Sequence, residues 1–350
     1  MNIERQSPID IKTEKSVMLR VALREAVDAK PADVLLLSGG IDSSALAALN
    51  PSIPAVTVVL EGQGQDLKNS QRVAEYLKMH WPPIELSTEQ AVNNLKELVK
   101  LTETYDPALL NCIPIYTAMK YAAGLGMRRI RTGDFADTLF RGYLFIQDVD
   151  LAQHLDKLLP HLTLASSRVG QKMGLSMHYP YLYPKVIDVA KSLSREDNIV
   201  AVEAGIPGDV FEMQQGRTTK QIQNWSKITL RQALLGLLPT EIIFRQRADL
   251  EFGSGTYKIE DYLEKLPTSQ RISEFENQGI RFWNKMHAGL YYFYKEAELN
   301  PPPVRDKKRE YGCKWCSGAV EKGRHHCLTC GAYPADKTRR KVITKTRKRR

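Results

Sequence analysis

The sequence lacks any apolar run long enough to cross a membrane. A membrane-spanning helix needs about 20 predominantly apolar residues, and no such run occurs in the 350 residues of the chain. Residues 1–11 also lack the basic segment followed by an apolar segment that is typical of a secretory signal peptide. We therefore expect a cytoplasmic protein with no membrane partner.

Two widespread phosphate-binding signatures are also absent. The sequence contains no G-x-x-x-x-G-K-[ST] loop and no G-x-G-x-x-G motif after a predicted strand, so neither a Walker-type ATPase nor a nicotinamide-dependent enzyme is supported. Cysteine is scarce, with five residues in the whole chain. Four of them fall within residues 313–330 as two C-x-x-C pairs, a pattern that favours a metal site over disulfides in a reducing compartment.

Positive charge is concentrated near the C-terminus. Residues 304–350 contain 16 Lys or Arg and four Asp or Glu, which leaves 34 and 36 for the rest of the chain. The body is therefore close to neutral, and any affinity for a polyanion is expected from the last segment alone.

The order of the predicted elements indicates an α/β fold. Strands are predicted at 34–37, 55–60 and 129–132, and helices at 16–30, 45–49, 67–78, 91–102 and 115–124. This alternation implies a parallel sheet with helices on both faces, whose ligands bind beyond the carboxyl ends of the strands. From residue 151 the pattern turns helical, and the predicted helices there include 221–238 and 273–297. We expect an α/β core at 1–150, a helical continuation at 151–300, a zinc ribbon at 301–336 and a disordered basic tail at 337–350.

The glycine turn after the first predicted strand is typical of a pyrophosphate site. In the segment Ser38-Gly-Gly-Ile-Asp-Ser-Ser44, two glycines let the backbone approach an anion, and the helix that follows directs N–H groups at it. Asp42 alone would repel phosphate, so its expected role is to hold Mg²⁺ that neutralises the phosphates. The alternative is an ordinary turn between a strand and a helix.

This turn resembles the PP-loop of ATP pyrophosphatases, which split ATP between the α and β phosphates and leave an adenylated substrate. Further segments occur in the order and rough spacing of the synthetase domain of asparagine synthetases and β-lactam synthetase. They are Glu103-Thr-Tyr-Asp106, Gly133-Asp-Phe-Ala-Asp137, Pro180-Tyr-Leu182, Lys227-Ile-Thr-Leu-Arg231 and Arg245-Gln-Arg247. The resemblance covers about residues 16–265. It implies the PP-loop fold, also called adenine nucleotide alpha hydrolase-like.

The resemblance also implies roles for individual residues. The ATP and pyrophosphate site would consist of Leu37, Ser38, Gly39, Gly40, Asp42, Ser43, Ser44, Val59 and Gly133. Asp42 and Asp137 would be the Mg²⁺ ligands, and the catalytic candidates are Asp134, Lys227 and Arg247. Both cations could instead be exposed charges at helix ends. The implied reaction is attack of a carboxylate on the α-phosphate, followed by attack of an amine on the acyl-adenylate.

Several positions depart from the family pattern. Asp134 stands where the family has Glu, Thr138 replaces a second Glu, and Arg247 replaces a Lys that could give up a proton more readily than Arg does. His178 and Tyr183 replace an Arg and an Asp of another family motif. Because these changes fall on the aspartate and proton-transfer positions, free aspartate is not the expected substrate.

The N-terminus departs as well. Glutamine-dependent members of the family begin with a glutaminase domain whose Cys follows the initiator Met, and Asn2 stands there in this sequence. We therefore expect the chain to need free ammonia, a separate partner glutaminase or another nucleophile.

The two C-x-x-C pairs predict a structural zinc site. Each turn directs two thiolates at one point, and together Cys313, Cys316, Cys327 and Cys330 supply a closed tetrahedral set for Zn²⁺ with no position left for water. A segment of this size has too little core to fold alone, so metal binding would provide its folding energy. A disulfide or redox pair is the alternative.

Three functions fit these features. The first is an ATP-dependent, AMP-forming, asparagine-synthetase-like ligase that transfers an adenylated acyl or carbonyl group to ammonia or another amine. The second is an RNA-modifying enzyme that adenylates a base of tRNA, with the ribbon and the basic tail holding the RNA. The third is a scaffold that binds nucleotide without turnover. ATP, Mg²⁺ and Zn²⁺ are the expected cofactors.

Overall fold

The computed structural model describes residues 12–62, 64–203, 222–245 and 250–337. Arg247 and residues 338–350 of the basic tail lie outside these ranges. The described parts of Met1–Ala91 and Asn111–Thr256 form one compact unit, and those of Val92–Leu110 and Tyr257–Arg350 form a second.

The described elements comprise nine strands, sixteen α-helices and three short 3-10 helices. The strands are β1 Val34–Leu36, β2 Ala55–Leu60, β3 Pro83–Leu86, β4 Arg129–Arg131, β5 Ser176–His178, β6 Val200–Glu203, β7 Ile222–Trp225, β8 Glu310–Gly312 and β9 Ala319–Glu321. The helices are α1 Glu14–Asp28, α2 Ile41–Leu49, α3 Asp66–Leu77, α4 Thr88–Thr102, α5 Leu109–Gly124, α6 Ala136–Leu139, α7 Leu151–Leu158, α8 Ala165–Lys172, α9 Pro184–Ser192, α10 Arg195–Asn198, α11 Ile228–Ala233, α12 Thr240–Ile243, α13 Leu250–Ser254, α14 Lys258–Leu263, α15 Ser269–Asn277 and α16 Lys285–Glu296.

The first unit is built on a five-stranded sheet with the order β3-β2-β1-β4-β5. Every neighbouring pair in it is parallel. The central strands β1 and β2 are almost completely buried, which explains their uniformly apolar sequences. The carboxyl ends of β1 and β4 are adjacent, so the glycine turn after β1 and the Gly133 segment after β4 meet at one edge. The predicted α/β fold class is confirmed.

The sequence prediction missed both edge strands of this sheet. Strands β3 and β5 are short and partly exposed, so neither carries a continuous apolar run. The start of α1 also differs from the prediction, because Thr13 rather than Ser16 is the N-cap, and Ser16 is the reciprocal partner in a capping box.

Two long helices predicted in the C-terminal half are wrong. Within 221–238, residues of β7 pair antiparallel with β6 before α11 begins. Within 273–297, α15 ends before Gly279, which has φ +87°, and α16 begins after Asn284, whose side chain caps His287 N. Apolar residues on both sides of each break imitate one continuous helical pattern, and the break itself depends on pairing and capping.

The second unit contains an aromatic cluster beside the cysteine segment. Tyr105 is fully buried, and its ring centroid lies 5.2 Å from that of His287, 4.9 Å from that of Tyr291 and 5.1 Å from that of Tyr294. Strands β8 and β9 form an antiparallel pair within the cysteine segment. The carbonyl of Thr329 accepts hydrogen bonds from Tyr105 N at 2.8 Å and from Thr104 Oγ1 at 2.9 Å. The cysteine segment is therefore fixed to the loop after α4.

Among the described residues, no helix is both long enough and apolar enough to cross a membrane.

Candidate active site

The turn after β1 is held in a fixed shape by its own side chains. Gly39 has φ +69°, and a Cβ added there would lie 2.3 Å from the backbone N of Ser70, so only glycine fits. Ser38 N donates to Ser43 Oγ at 3.2 Å, and Gly40 N donates to Ser38 Oγ at 3.2 Å. Gly40 is the N-cap residue of α2, whose first N–H groups therefore open onto the turn. This arrangement suits an anion at the helix N-terminus.

The other predicted nucleotide-binding residues lie around this turn. Gly133 packs so closely that a Cβ would be 3.0 Å from Ser43 N. Leu37 and Val59 are buried, and the backbone N–H of Leu37 donates to Val56 O at 2.9 Å. Ser44 is fully buried in α2, and its Oγ has no hydrogen-bond partner among the described residues. The roles of these residues toward ATP stay predictions.

Lys227 joins the two predicted magnesium ligands. Its Nζ lies 2.7 Å from Asp42 Oδ1, 2.6 Å from Asp42 Oδ2 and 2.8 Å from Asp137 Oδ1. The Lys227 side chain is only 3% exposed, whereas the two aspartates are 21% and 22% exposed. A Cβ added at Gly142 would lie 1.9 Å from Asp137 Oδ1 and 2.7 Å from Lys227 Cε. Any larger residue at position 142 would therefore overlap the atoms of the ion pair.

A buried arginine holds the segment that carries Lys227. Lys227 is the N-cap residue of α11 with φ +61°, and Arg231 lies one turn further along the helix. The Arg231 guanidinium donates to Ser226 O at 3.0 Å and to Arg245 O at 3.1 Å, and it also donates to Ile243 O. Burial lowers the pKa of Arg231 to about 10, so the side chain stays charged at neutral pH. These bonds tie Lys227 to the chain leading to Arg245.

The environment of Asp42 balances opposing effects. Burial raises the pKa of its carboxyl group, the ammonium of Lys227 opposes the rise, and the nearby Asp137 carboxylate adds to it. Tyr181 Oη donates to the backbone carbonyl of Asp42 at 2.9 Å. Mg²⁺ in proteins is commonly held by one or two carboxylates together with substrate phosphates. Two carboxylates beside the glycine turn are a donor set that fits this ion.

Arg245 is a functional candidate that sequence reasoning missed. Its Nη1 donates to the carbonyl of Gly39 at 2.7 Å, and its Nη2 lies 3.5 Å from Asp66 Oδ1. Burial raises the pKa of Asp66 to about 6, against the opposing effect of the Arg245 charge. The available signal is its place in the Arg-Gln-Arg segment, from which the resemblance implies a role only for Arg247. Arg247 lies outside the described residues, and its role stays a prediction.

Asp134 ends a short chain of hydrogen bonds. Ser166 Oγ contacts Asp134 Oδ2 and lies 3.1 Å from Tyr179 Oη. An ionised carboxylate only accepts, so Ser166 donates to Asp134 and accepts from Tyr179. Burial raises the pKa of Asp134, while the bond from Ser166 opposes the rise. This chain can carry a proton to the carboxylate.

His178, one of the departures from the family pattern, has a structural partner. Its Nδ1 accepts from Arg131 Nε at 3.2 Å, so its Nε2 carries the hydrogen and donates to Ala26 O at 3.0 Å. Burial, with Arg131 adding to it, lowers the pKa of His178 to about 4. His178 is therefore a neutral residue of the core at neutral pH.

The four clustered cysteines form a compact set of sulfur ligands. All four side chains are buried, and their Sγ atoms lie within 4.8 Å of one another. The pairs Cys313–Cys330 and Cys316–Cys327 are each 3.7 Å apart. Tetrahedral zinc with Zn–S near 2.3 Å requires sulfurs about 3.8 Å apart. Backbone N–H groups of Trp315 and Gly318 donate to Cys313 and Cys316, each at 3.4 Å. The cluster fits a zinc ribbon, as predicted.

The comparisons with known proteins agree with the motifs. Residues 18–172 match the sequence profile of the family described as asparagine synthase. The chain is similar to asparagine synthetase B (glutamine-hydrolyzing) of Escherichia coli strain K12, with 26% identity over 321 residues that cover 81% of this chain and 54% of that protein. It is also similar to asparagine synthetase (glutamine-hydrolyzing) 1 of Arabidopsis thaliana, with 25% identity over 289 residues that cover 75% of this chain and 46% of that protein.

The chain thus spans about half the length of the curated relatives that it matches. The matched region includes the glycine turn, Asp42, Asp134 and Asp137. These matches confirm the predicted resemblance of this chain to the synthetase domain of asparagine synthetases.

Proposed function

We propose that this protein is an ATP-dependent, AMP-forming ligase that adenylates an acyl or carbonyl substrate and transfers it to ammonia or another amine. The observation that carries the proposal is the group of Asp42, Asp137 and Lys227 beside the glycine turn at the N-terminus of α2. A polyphosphate needs both an anion-binding backbone and positive charge. The N-terminus of α2 would supply the first, and Lys227 together with a metal held by the aspartates would supply the second. The similarity to asparagine synthetases supports the same reaction class.

In the proposed first step, a substrate carboxylate oxygen forms a bond to the α-phosphorus of ATP. The bond between this phosphorus and the bridging oxygen to the β-phosphate breaks, and pyrophosphate leaves with the electron pair. Ser38, Gly39, Gly40 and Ser43 would hold the leaving pyrophosphate. Asp42 and Asp137 would hold Mg²⁺, which when bound neutralises phosphate charge. Catalysis then rests on positioning and on charge already in place.

In the proposed second step, an amine nitrogen attacks the acyl carbon and AMP leaves with the electron pair of the broken bond. The amine must lose a proton in this step. We propose that Asp134 accepts this proton, which would pass from Tyr179 to Ser166 and from Ser166 to the carboxylate. Its raised pKa brings the carboxylate closer to the range in which it can act as a base. The ammonia would be free or would come from a separate glutaminase.

The four cysteines are proposed to bind one structural Zn²⁺. The set is closed, since four buried thiolates complete a tetrahedron and leave no position for a reacting water. The metal would therefore stabilise the ribbon and take no part in the reaction.

An RNA-modifying enzyme is the second candidate function. The described part of the ribbon, residues 304–337, carries eight Lys or Arg against four acidic residues. Tyr333 in it is 63% exposed, and exposed aromatic rings stack with unpaired bases. The third hypothesis, a nucleotide-binding scaffold, predicts binding without turnover.

The test of the ligase is nucleotide binding followed by product analysis. Wild type should bind MgATP in calorimetry and, with a panel of carboxylic and amino acids plus ammonia, should release AMP and pyrophosphate. Asp42→Ala should abolish both, whereas Asp156→Ala, which alters an exposed aspartate paired with Lys191, should change neither. ADP as product would reject the proposal, and binding without AMP from any acceptor would favour the scaffold. AMP formed only with tRNA would favour the RNA enzyme.

A further inference from the structure

Lys227 contacts the same carboxylate oxygens of Asp42 and Asp137 that a divalent metal would need as ligands. The Lys227 ammonium engages both oxygens of Asp42 and one oxygen of Asp137, each within 2.8 Å. A metal ion held by these carboxylates would have to take at least some of those oxygens from the ammonium. The protein and a metal therefore compete for one set of ligands.

The surroundings favour the ammonium in this competition. The Lys227 side chain is 3% exposed, so water does little to weaken its attraction to the carboxylates. Gly142 has no side chain at the place where Asp137 Oδ1 and Lys227 Cε lie, so the ion pair is not crowded there. Arg231 adds a buried positive charge close enough to affect Asp42. A free divalent cation would meet two aspartates whose charge is already largely compensated.

We propose that Lys227 is a built-in counter-cation that competes with free divalent cations for Asp42 and Asp137. Free metal is then bound weakly by this pair. The consequence for catalysis rests on the proposed function: the phosphates of a nucleotide offer Lys227 new anionic partners, and its flexible four-carbon side chain can follow them. Lys227 thereby makes the site select the metal–nucleotide complex over the free metal.

The experiment measures Mn²⁺ affinity without nucleotide, by electron paramagnetic resonance of the free ion. Lys227→Gln removes the competing charge and should bind Mn²⁺ at the aspartate pair at least about tenfold more tightly than wild type. Lys227→Arg keeps a cation and should show no gain. Lys185→Gln removes an exposed lysine paired with Glu25, and it controls for the change in net charge. Damage to the fold would weaken metal binding, so a gain in affinity is specific to competition.

Equal Mn²⁺ affinities for wild type and Lys227→Gln, or an equal gain in Lys227→Arg, would overturn the proposal. If Lys227→Gln does not fold, wild-type crystals soaked in concentrated Mn²⁺ give the decisive measurement. An anomalous peak between Asp42 and Asp137 should be accompanied by displacement of Lys227 Nζ from both carboxylates. A peak there with all three Lys227 contacts intact would overturn the proposal.

A second titration separates this inference from the proposed function. The Mn²⁺ complex of α,β-methylene ATP should bind wild type at least about tenfold more tightly than Mn²⁺ alone, and Lys227→Gln should lose most of that difference. No binding of the nucleotide complex to either protein would reject the proposed function. The metal-only titration would still decide whether Lys227 competes with the cation.

Discussion

The aspartate–lysine site and the four-cysteine cluster solve one physical problem in different ways. Each brings several potential anions together in a poorly hydrated place. In the first, the chain supplies its own compensating charge, because Lys227 contacts both aspartates. In the second, four thiols lie within 4.8 Å of one another, and two of the pairs are 3.7 Å apart, close to the spacing that tetrahedral zinc requires. The comparison teaches that the first arrangement has its compensating charge before a metal binds, whereas the second would obtain its cohesion from the proposed zinc.

Loss of one of the four cysteine ligands should produce the largest effect. Cys313→Ser should reduce zinc from about one ion per chain to none, because structural zinc contributes on the order of 10 kcal/mol to the folding of such modules. Backbone amides such as Tyr105 N, which bonds to Thr329, should lose hydrogen-exchange protection. Metal analysis and exchange mass spectrometry measure both. Cys112→Ser, in α5, is the matched control and should keep its zinc. Full zinc content in Cys313→Ser would reject the four-thiolate site.

The ion pair between Lys227 and the two aspartates can be disturbed by placing a methyl group in the space that it occupies. Gly142→Ala places a methyl group where Asp137 Oδ1 and Lys227 Cε lie, so it should lower the free energy of unfolding by about 1–3 kcal/mol. Urea denaturation measures the change. Gly124→Ala adds the same methyl group where no heavy atom lies within 4 Å, and it should change stability little. Equal effects in the two variants would mean that the ion pair does not require the glycine.

The hydrogen-bond chain at Asp134 should affect transfer and leave activation intact. Ser166→Ala breaks the link from Tyr179 to Asp134 and should slow amide formation on the order of tenfold, whereas pyrophosphate exchange into ATP should be unchanged. Ser273→Ala, which alters an exposed serine in α15, is the control. Loss of exchange and transfer together would assign Ser166 to the fold or to ATP binding.

The smallest effect concerns the buried carboxyl group of Asp66. Its pKa is about 6, against an ordinary value of 3.8, so burial favours the protonated form. The stabilisation from protonation is complete below the ordinary pKa and is lost as pH rises through about 6. Between pH 5 and 7, wild type should lose about 1 kcal/mol more stability than Asp66→Asn. Chemical denaturation at both pH values tests this, and parallel pH profiles for the two proteins would exclude a raised pKa.

Local patterns made part of both sites predictable. The turn from Ser38 to Ser44 and the two C-x-x-C pairs each place their functional atoms within a few residues, so spacing alone carries the geometry. The resemblance selected Lys227 and Asp137, but not their contact, since they are 90 positions apart in the chain and no local pattern joins them. Ser166, Tyr179 and Arg245 were missed because their proposed roles depend on hydrogen bonds that only the folded chain creates.

The buried strands of the sheet could be predicted from the sequence, but its edge strands could not. The buried strands β1 and β2 were read from their apolar runs, whereas β3 and β5 at the sheet edges were not. The interruption between β7 and α11 escaped prediction because it is fixed by pairing with β6 and by the left-handed backbone at Lys227. Contacts with residues distant in the sequence determine where these elements begin and end, and local secondary-structure propensity does not show those contacts.

The carbonyl of Thr329 has a consequence for biosynthesis. It accepts bonds from Thr104 and Tyr105, and the first of these partners is 225 residues away in sequence. Translation proceeds from the N-terminus, so the ribosome must reach residue 329 before Tyr105 can form this contact. If the four cysteines bind the proposed zinc, a shortage of the metal would lengthen the interval in which Tyr105 lacks this partner.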